Sequence, residues 1–115
     1  MLNIVSGVEK TPIKFCIYGA EGVGKTSLAS KMPDPLFLDI EGGTSRLNVR
    51  RIKISSWEDL IATVKEVIDN ADVCKTLVID TADWAESLCT DFVCNKYRKA
   101  NIEDFGFGKG YTYLA

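Results

Sequence analysis

The sequence predicts an α/β fold with a largely parallel sheet. One observation is the order of its segments: short apolar, β-branched runs alternate with amphipathic helical stretches along the chain. The other is the stretch GAEGVGKTS, Gly19 to Ser27, which sits where the first apolar run gives way to a helical one. Parallel strands need crossover connections, and helices between strands supply them.

Taken in order, IKFCIYG (Ile13 to Gly19) reads as a buried strand, with Cys16 a core residue. KTSLASKM then makes a short helix, stopped by Pro33 and Pro35. LFLDI (Leu36 to Ile40) is a second strand, ended by Glu41, Gly42 and Gly43. VRRIKIS (Val49 to Ser55) alternates polar and apolar residues and suits a strand near a sheet edge. Ser55 with Glu58, or Ser56 with Asp59, offers a capping box for the next helix. Leu60, Ile61, Val64, Val67 and Ile68 fall on one face of it. TLVID (Thr76 to Asp80) is a third buried strand after the loop, ending in an acid. A last helix runs from about Trp84 to Lys99, with Leu88, Phe92 and Val93 inward, and the glycine-rich tail NIEDFGFGKGYTYLA reads as loop.

Composition narrows the function classes. With 115 residues, one domain is expected. A chain that is 46% hydrophobic and 26% charged folds around a core. The apolar runs are too short to span a membrane, the N-terminus lacks the apolar stretch of a secretory signal, and a cytoplasmic protein is expected. A net charge of −2 gives no global nucleic-acid signature, so any contact with DNA falls to local patches. Cys16, Cys74, Cys89 and Cys94 form no CxxC pair, and the chain has no histidine. That excludes Cys/His zinc sites and nucleophiles activated by histidine, and leaves four reduced thiols, a four-cysteine site having unconventional spacing.

Gly19, Gly24, Lys25 and Thr26 match G-x-x-x-x-G-K-[ST]. Glycines let the backbone wrap a phosphate chain, and successive amides and the helix start then point at the anion. The binding loop is therefore Gly19, Ala20, Glu21, Gly22, Val23, Gly24, Lys25, Thr26 and Ser27, with Lys25 reaching the β- and γ-phosphates and Thr26 ligating Mg²⁺. Asp80, at the C-terminal tip of a strand, is the second metal residue, in the crevice where α/β proteins bind ligands. Glu41 also stands at a strand tip and is the candidate for orienting the attacking water. Lys25 and Glu41 are the catalytic candidates, ATP and Mg²⁺ the expected ligands. Asp39 is expected to point to the other face of its strand. The fold expected is a three-layer P-loop NTPase.

GAEGVGKTS, LFLDIEGG, TLVIDTADW and FGFGKGY together resemble the phage-type RecA-like nucleotide-binding proteins, which include single-strand-annealing ATPases of phage recombination. The resemblance covers the chain from about Ile13. It implies a RecA-like ATPase core acting on single-stranded DNA in a bacterial or phage-infected cell. Glu41 then corresponds to the water-activating glutamate, Asp80 to the Walker-B acid and Thr81 to the small hydroxyl residue that often follows it. Proteins of that group run on beyond the length of this chain. Residues 1–115 are thus expected to be the N-terminal part of a single RecA-like domain with an incomplete core. The resemblance puts a further strand between the phosphate-loop strand and the Walker-B strand. An unfilled slot leaves backbone groups unpaired, and a homo-oligomer, strand-swapped or otherwise, is expected to fill it.

Phe105, Phe107, Lys109, Tyr111 and Tyr113 alternate with small residues, as rings that stack on unpaired bases do, or as anchors that pack a loop on the core. RLNVRRIK (Arg46 to Lys53) and KYRK (Lys96 to Lys99) are local basic clusters suited to phosphates or to a solvated face. A binding module without turnover is the alternative to an ATPase. A small kinase or GTPase fits less well, because no guanine-specificity motif N/T-K-x-D is present.

Overall fold

The apolar run before Asp39 forms the centre of the sheet. The structure, a computed structural model, describes residues 1–97. Strand β1 (Pro35–Asp39) lies between β2 (Arg50–Lys53) and β3 (Thr76–Asp80), and both pairings are parallel. Leu36, Phe37, Leu38 and Asp39 are all buried, as a strand covered on both faces requires. Strand β2 is shorter than its sequence pattern predicts and mostly exposed, the edge strand that its alternation implied. Register sets Asp39 directly opposite Asp80 at the C-terminal ends of β1 and β3.

Helix α1 (Lys25–Ala29) precedes β1. It is shorter than predicted, because the chain leaves α-helical bonding at Ser30 and continues in tight turns to Met32 before Pro33 and Pro35. Helix α2 (Trp57–Asp69) starts at the second of the two predicted caps: Asp59 N donates to Ser56 Oγ at 3.1 Å. Leu60 and Thr63 form its buried line, Val64 and Val67 are half-buried, and Ile61 and Ile68 are exposed, so the inward stripe is narrower than predicted. A short 3-10 turn (Ala71–Val73) leads to β3. Helix α3 (Ala82–Lys96) begins two residues before the predicted start, buries Val93 and Cys94, and half-buries Leu88 and Phe92.

Leu38, Ile54 and Leu60 make the core, with Trp57 and Val64 of α2, Ala85 and Leu88 of α3, and Leu77 of β3 packed against them. Burial of a leucine of this kind is worth about 1.5–3 kcal/mol. Because strand side chains alternate, Phe37, Asp39, Val78 and Asp80 lie on the face opposite Leu38 and Leu77. Helices α2 and α3 thus cover one face, and the phosphate-loop helix α1 meets the other through Asp80. This α/β arrangement with a parallel three-stranded sheet agrees with the predicted P-loop architecture.

One predicted strand is absent. Residues 13–19 form no strand, and Ile13 is 82% and Tyr18 90% exposed. Cys16 is exposed, not a core residue. Strand propensity needs a ladder to join. Among the described residues nothing pairs with the outer edge of β3, and Ile13 to Gly19 does not take that place. The aromatic tail, with Phe105, Phe107, Lys109, Tyr111 and Tyr113, and residues 98–99 of the second basic cluster lie outside the described residues.

Candidate nucleotide-binding site

The loop from Gly19 to Gly24 turns back on itself: Val23 N donates to Ala20 O at 3.3 Å. Gly24 caps α1 with φ 103°, a left-handed conformation that glycine adopts without the Cβ clash of other residues. Ala20, Glu21, Gly22, Val23 and Ser27 are exposed, as loop residues that meet a ligand must be. Lys25 Nζ reaches back across the loop and donates to Gly19 O at 2.6 Å.

Thr26 Oγ1 donates to Asp80 Oδ2 at 3.0 Å. This bond joins the first turn of α1 to the tip of β3, so the two predicted metal residues come together. Asp80 is buried. A hydroxyl and a carboxylate are hard oxygen donors, and Mg²⁺ characteristically takes one or two such protein ligands beside phosphate and water. The pair therefore fits Mg²⁺. Among the described residues no cluster of three or more His, Cys, Asp or Glu side chains is poised for a metal, and a phosphate-bound Mg²⁺ needs none.

Glu41 stands two residues beyond the end of β1, and its side chain is exposed. The amides of Ile40 and Glu41 both donate to Asp80 O, at 2.9 and 3.3 Å. The tips of β1 and β3 are thus tied together where Glu41 leaves the sheet.

Asp39 has a role that strand alternation did not predict. It is 3% exposed, and its carboxylate turns forward onto the loop after β1. Gly42 N donates to Asp39 Oδ1 at 2.6 Å, Thr44 N to Oδ2 at 3.4 Å, and the Thr44 hydroxyl also donates to Oδ2. Burial pushes the Asp39 pKa up. Hydrogen bonds from the Thr44 hydroxyl and the Gly42 and Thr44 amides, with the nearby Arg51 charge, outweigh it and hold the carboxyl below its ordinary value. Alternation puts residues two apart on one face, so Asp39 stands beside Asp80 on the face that α1 meets, not on the other face that was expected. An Asp at a strand end followed by Gly42, Gly43 and Thr44, residues that suit a turn folded back on its carboxylate, was the available signal.

Two of the four cations of the first basic cluster are engaged by other residues of the protein. Arg50 pairs with Asp34 at 2.8 Å and donates to Val73 O, while Arg51 donates to Thr44 and Leu47. Arg46 and Lys53 remain exposed. Thr81 precedes α3 as its N-cap residue without a side-chain capping bond.

The profile of the AAA-domain family matches residues 11–115, which include the phosphate loop, both strand-tip acids and the helices. The chain belongs to the AAA-domain family. This is an AAA-type P-loop ATPase family, so nucleotide binding is the property its members suggest. The AAA domain is also similar to the SPbeta prophage-derived uncharacterized protein YorG of Bacillus subtilis (strain 168), 33% identical over 104 residues. That match covers 83% of this chain and 32% of YorG, so the AAA domain spans about a third of the curated relative's length. No solved structure matches it significantly. No helix among the described residues is long and apolar enough to cross a membrane.

Proposed function

We propose that this AAA domain binds Mg²⁺-ATP between the Gly19–Ser27 loop and the tips of β1 and β3, and that the whole protein hydrolyses it. The observation that carries the reading is the bond of 3.0 Å between Thr26 and Asp80, which joins phosphate loop and strand-tip acid. Loop amides hold the phosphates, and Lys25 sets its charge against the β- and γ-phosphates. Thr26 and Asp80 hold Mg²⁺. The chemistry supplied by that ion is neutralisation of charge on the phosphoryl oxygens. Glu41 accepts a hydrogen bond from a water and directs its lone pair at the γ-phosphorus. The new bond joins water oxygen to phosphorus, the bond to the β-phosphate oxygen breaks, and ADP leaves. The water proton passes to Glu41 and from there to phosphate.

We further propose that ATP turnover is coupled to binding and annealing of single-stranded DNA in phage-type recombination, with a homo-oligomer as the working form. The motif resemblance and the prophage origin of the relative support this reading. The exposure of Ile13, Phe15 and Tyr18, where a core strand was expected, favours a second reading, in which residues 1–115 bind nucleotide or DNA without turnover.

Mg²⁺-dependent phosphate release by wild type and Glu41→Gln tests the proposal. Turnover in wild type, lost in Glu41→Gln with ATP binding retained, is the expected result. ATP binding without turnover in wild type selects the second reading, and absence of saturable binding of both ATP and single-stranded DNA ends both. Single-stranded DNA binding is expected to weaken steeply with salt.

A further inference from the structure

Glu41 is followed by Gly42 and Gly43, a pair that leaves the backbone free to wander. A water-orienting carboxylate in such a loop is effective only when something else fixes it. The structure holds it on both sides. Ile40 and Glu41 hang from Asp80 O through their amides, and Gly42 N is held by Asp39. Thr44, 0% exposed, then closes the loop, its hydroxyl donating to Asp39 and accepting from Arg51 Nε at 2.9 Å. Arg51 Nη2 adds bonds to Thr44 O at 2.8 Å and Leu47 O at 2.6 Å. Burying a threonine hydroxyl, a carboxylate and much of a guanidinium is costly unless every polar atom is matched, and here they match one another.

We infer that Asp39, Thr44 and Arg51 are positioning residues: together they latch the loop from Ile40 to Leu47 and so fix Glu41 beside the tip of β3. The inference rests on the reading of Glu41 given above. It turns Arg51, a candidate for phosphate contact by charge alone, into an inward-facing brace. It also gives the buried Thr44 a purpose, since its hydroxyl is the relay between brace and carboxylate.

The test uses the full chain and two readouts, ATP turnover and amide hydrogen exchange across residues 40–47. Thr44→Val removes the relay, and Thr44→Ser keeps it. Thr44→Val is expected to lower kcat by about tenfold or more, with KM for ATP within about threefold, because misplacement of a reacting group acts on the chemical step. Exchange at Gly42 and Thr44 should quicken in Thr44→Val, and Thr44→Ser should match wild type in both readouts. If Thr44→Val does not fold, Arg51→Lys, which keeps the charge but loses the planar fork, is expected to give the same split. Wild-type kcat in a variant whose loop exchanges faster overturns the inference. So does a parallel loss of kcat and ATP affinity with a lowered melting temperature, the signature of a merely structural role. Should wild type show no turnover, the proposed hydrolysis falls and exchange alone decides the latch. Protected Gly42 and Thr44 amides that Thr44→Val releases uphold it, and unprotected ones in wild type overturn it.

Discussion

Thr26 and Asp80, 54 positions apart in sequence, share one hydrogen bond of 3.0 Å. That bond is the point at which the phosphate loop is docked on the sheet. Thr26→Val removes the hydroxyl at nearly constant volume, and Thr26→Ser keeps it. Titration with a fluorescent ATP analogue should show Mg²⁺-dependent affinity reduced about tenfold in Thr26→Val, or about 1.4 kcal/mol. Thr26→Ser should stay close to wild type. With EDTA in place of Mg²⁺ the two variants should bind alike; a persistent tenfold gap would place the role of the hydroxyl in docking rather than in metal binding.

Acid should destabilise the fold through Asp39. Its folded pKa lies below the unfolded value of about 3.9. The stabilisation is therefore fully present above about pH 4 and is lost as pH falls through the folded pKa. Urea midpoints of wild type and Asp39→Asn at pH 7 and pH 3 measure this. The variant should be the less stable protein at pH 7, and the gap should narrow at pH 3. An equal gap at both values would mean that the Asp39 charge contributes nothing to stability.

The core admits a contrast within the apolar residues. Leu38 is fully buried between the sheet and both larger helices, whereas Ile68, on the same predicted stripe as Leu60, is 69% exposed. Leu38→Ala should cost about 2–5 kcal/mol in denaturant unfolding. Ile68→Ala should stay within about 0.5 kcal/mol of wild type. Similar losses for the two would contradict the placement of α2.

Much of this was legible locally. Apolar runs ending in an acid located β1 and β3, the glycine-lysine-threonine pattern located the loop, and Ser56 with Asp59 located the start of α2. Each of these signals rests on neighbours in sequence. Ile13 to Gly19 carries an equally clear strand pattern, yet a strand depends on a partner that local pattern does not encode. The Asp39–Thr44–Arg51 cluster was hidden for a different reason. Arg51 and Thr44 look like ordinary surface residues until the chain turns at Gly42 and brings β2 against the loop. The stripe on α2 was overread because helical spacing gives a direction, while the neighbours on α3 and β1 decide how wide the covered face becomes.

The two amides on the Asp80 carbonyl will be invisible to a side-chain scan. Alanine at Ile40, Glu41 or Asp80 leaves N–H and C=O where they are, so a mutational map will mark the carboxylates and pass over the tether that holds them together. Backbone chemistry is the way to see it: an ester in place of the amide at Ile40 deletes that donor, and it also weakens the Asp39 carbonyl as acceptor of the Ile54 amide.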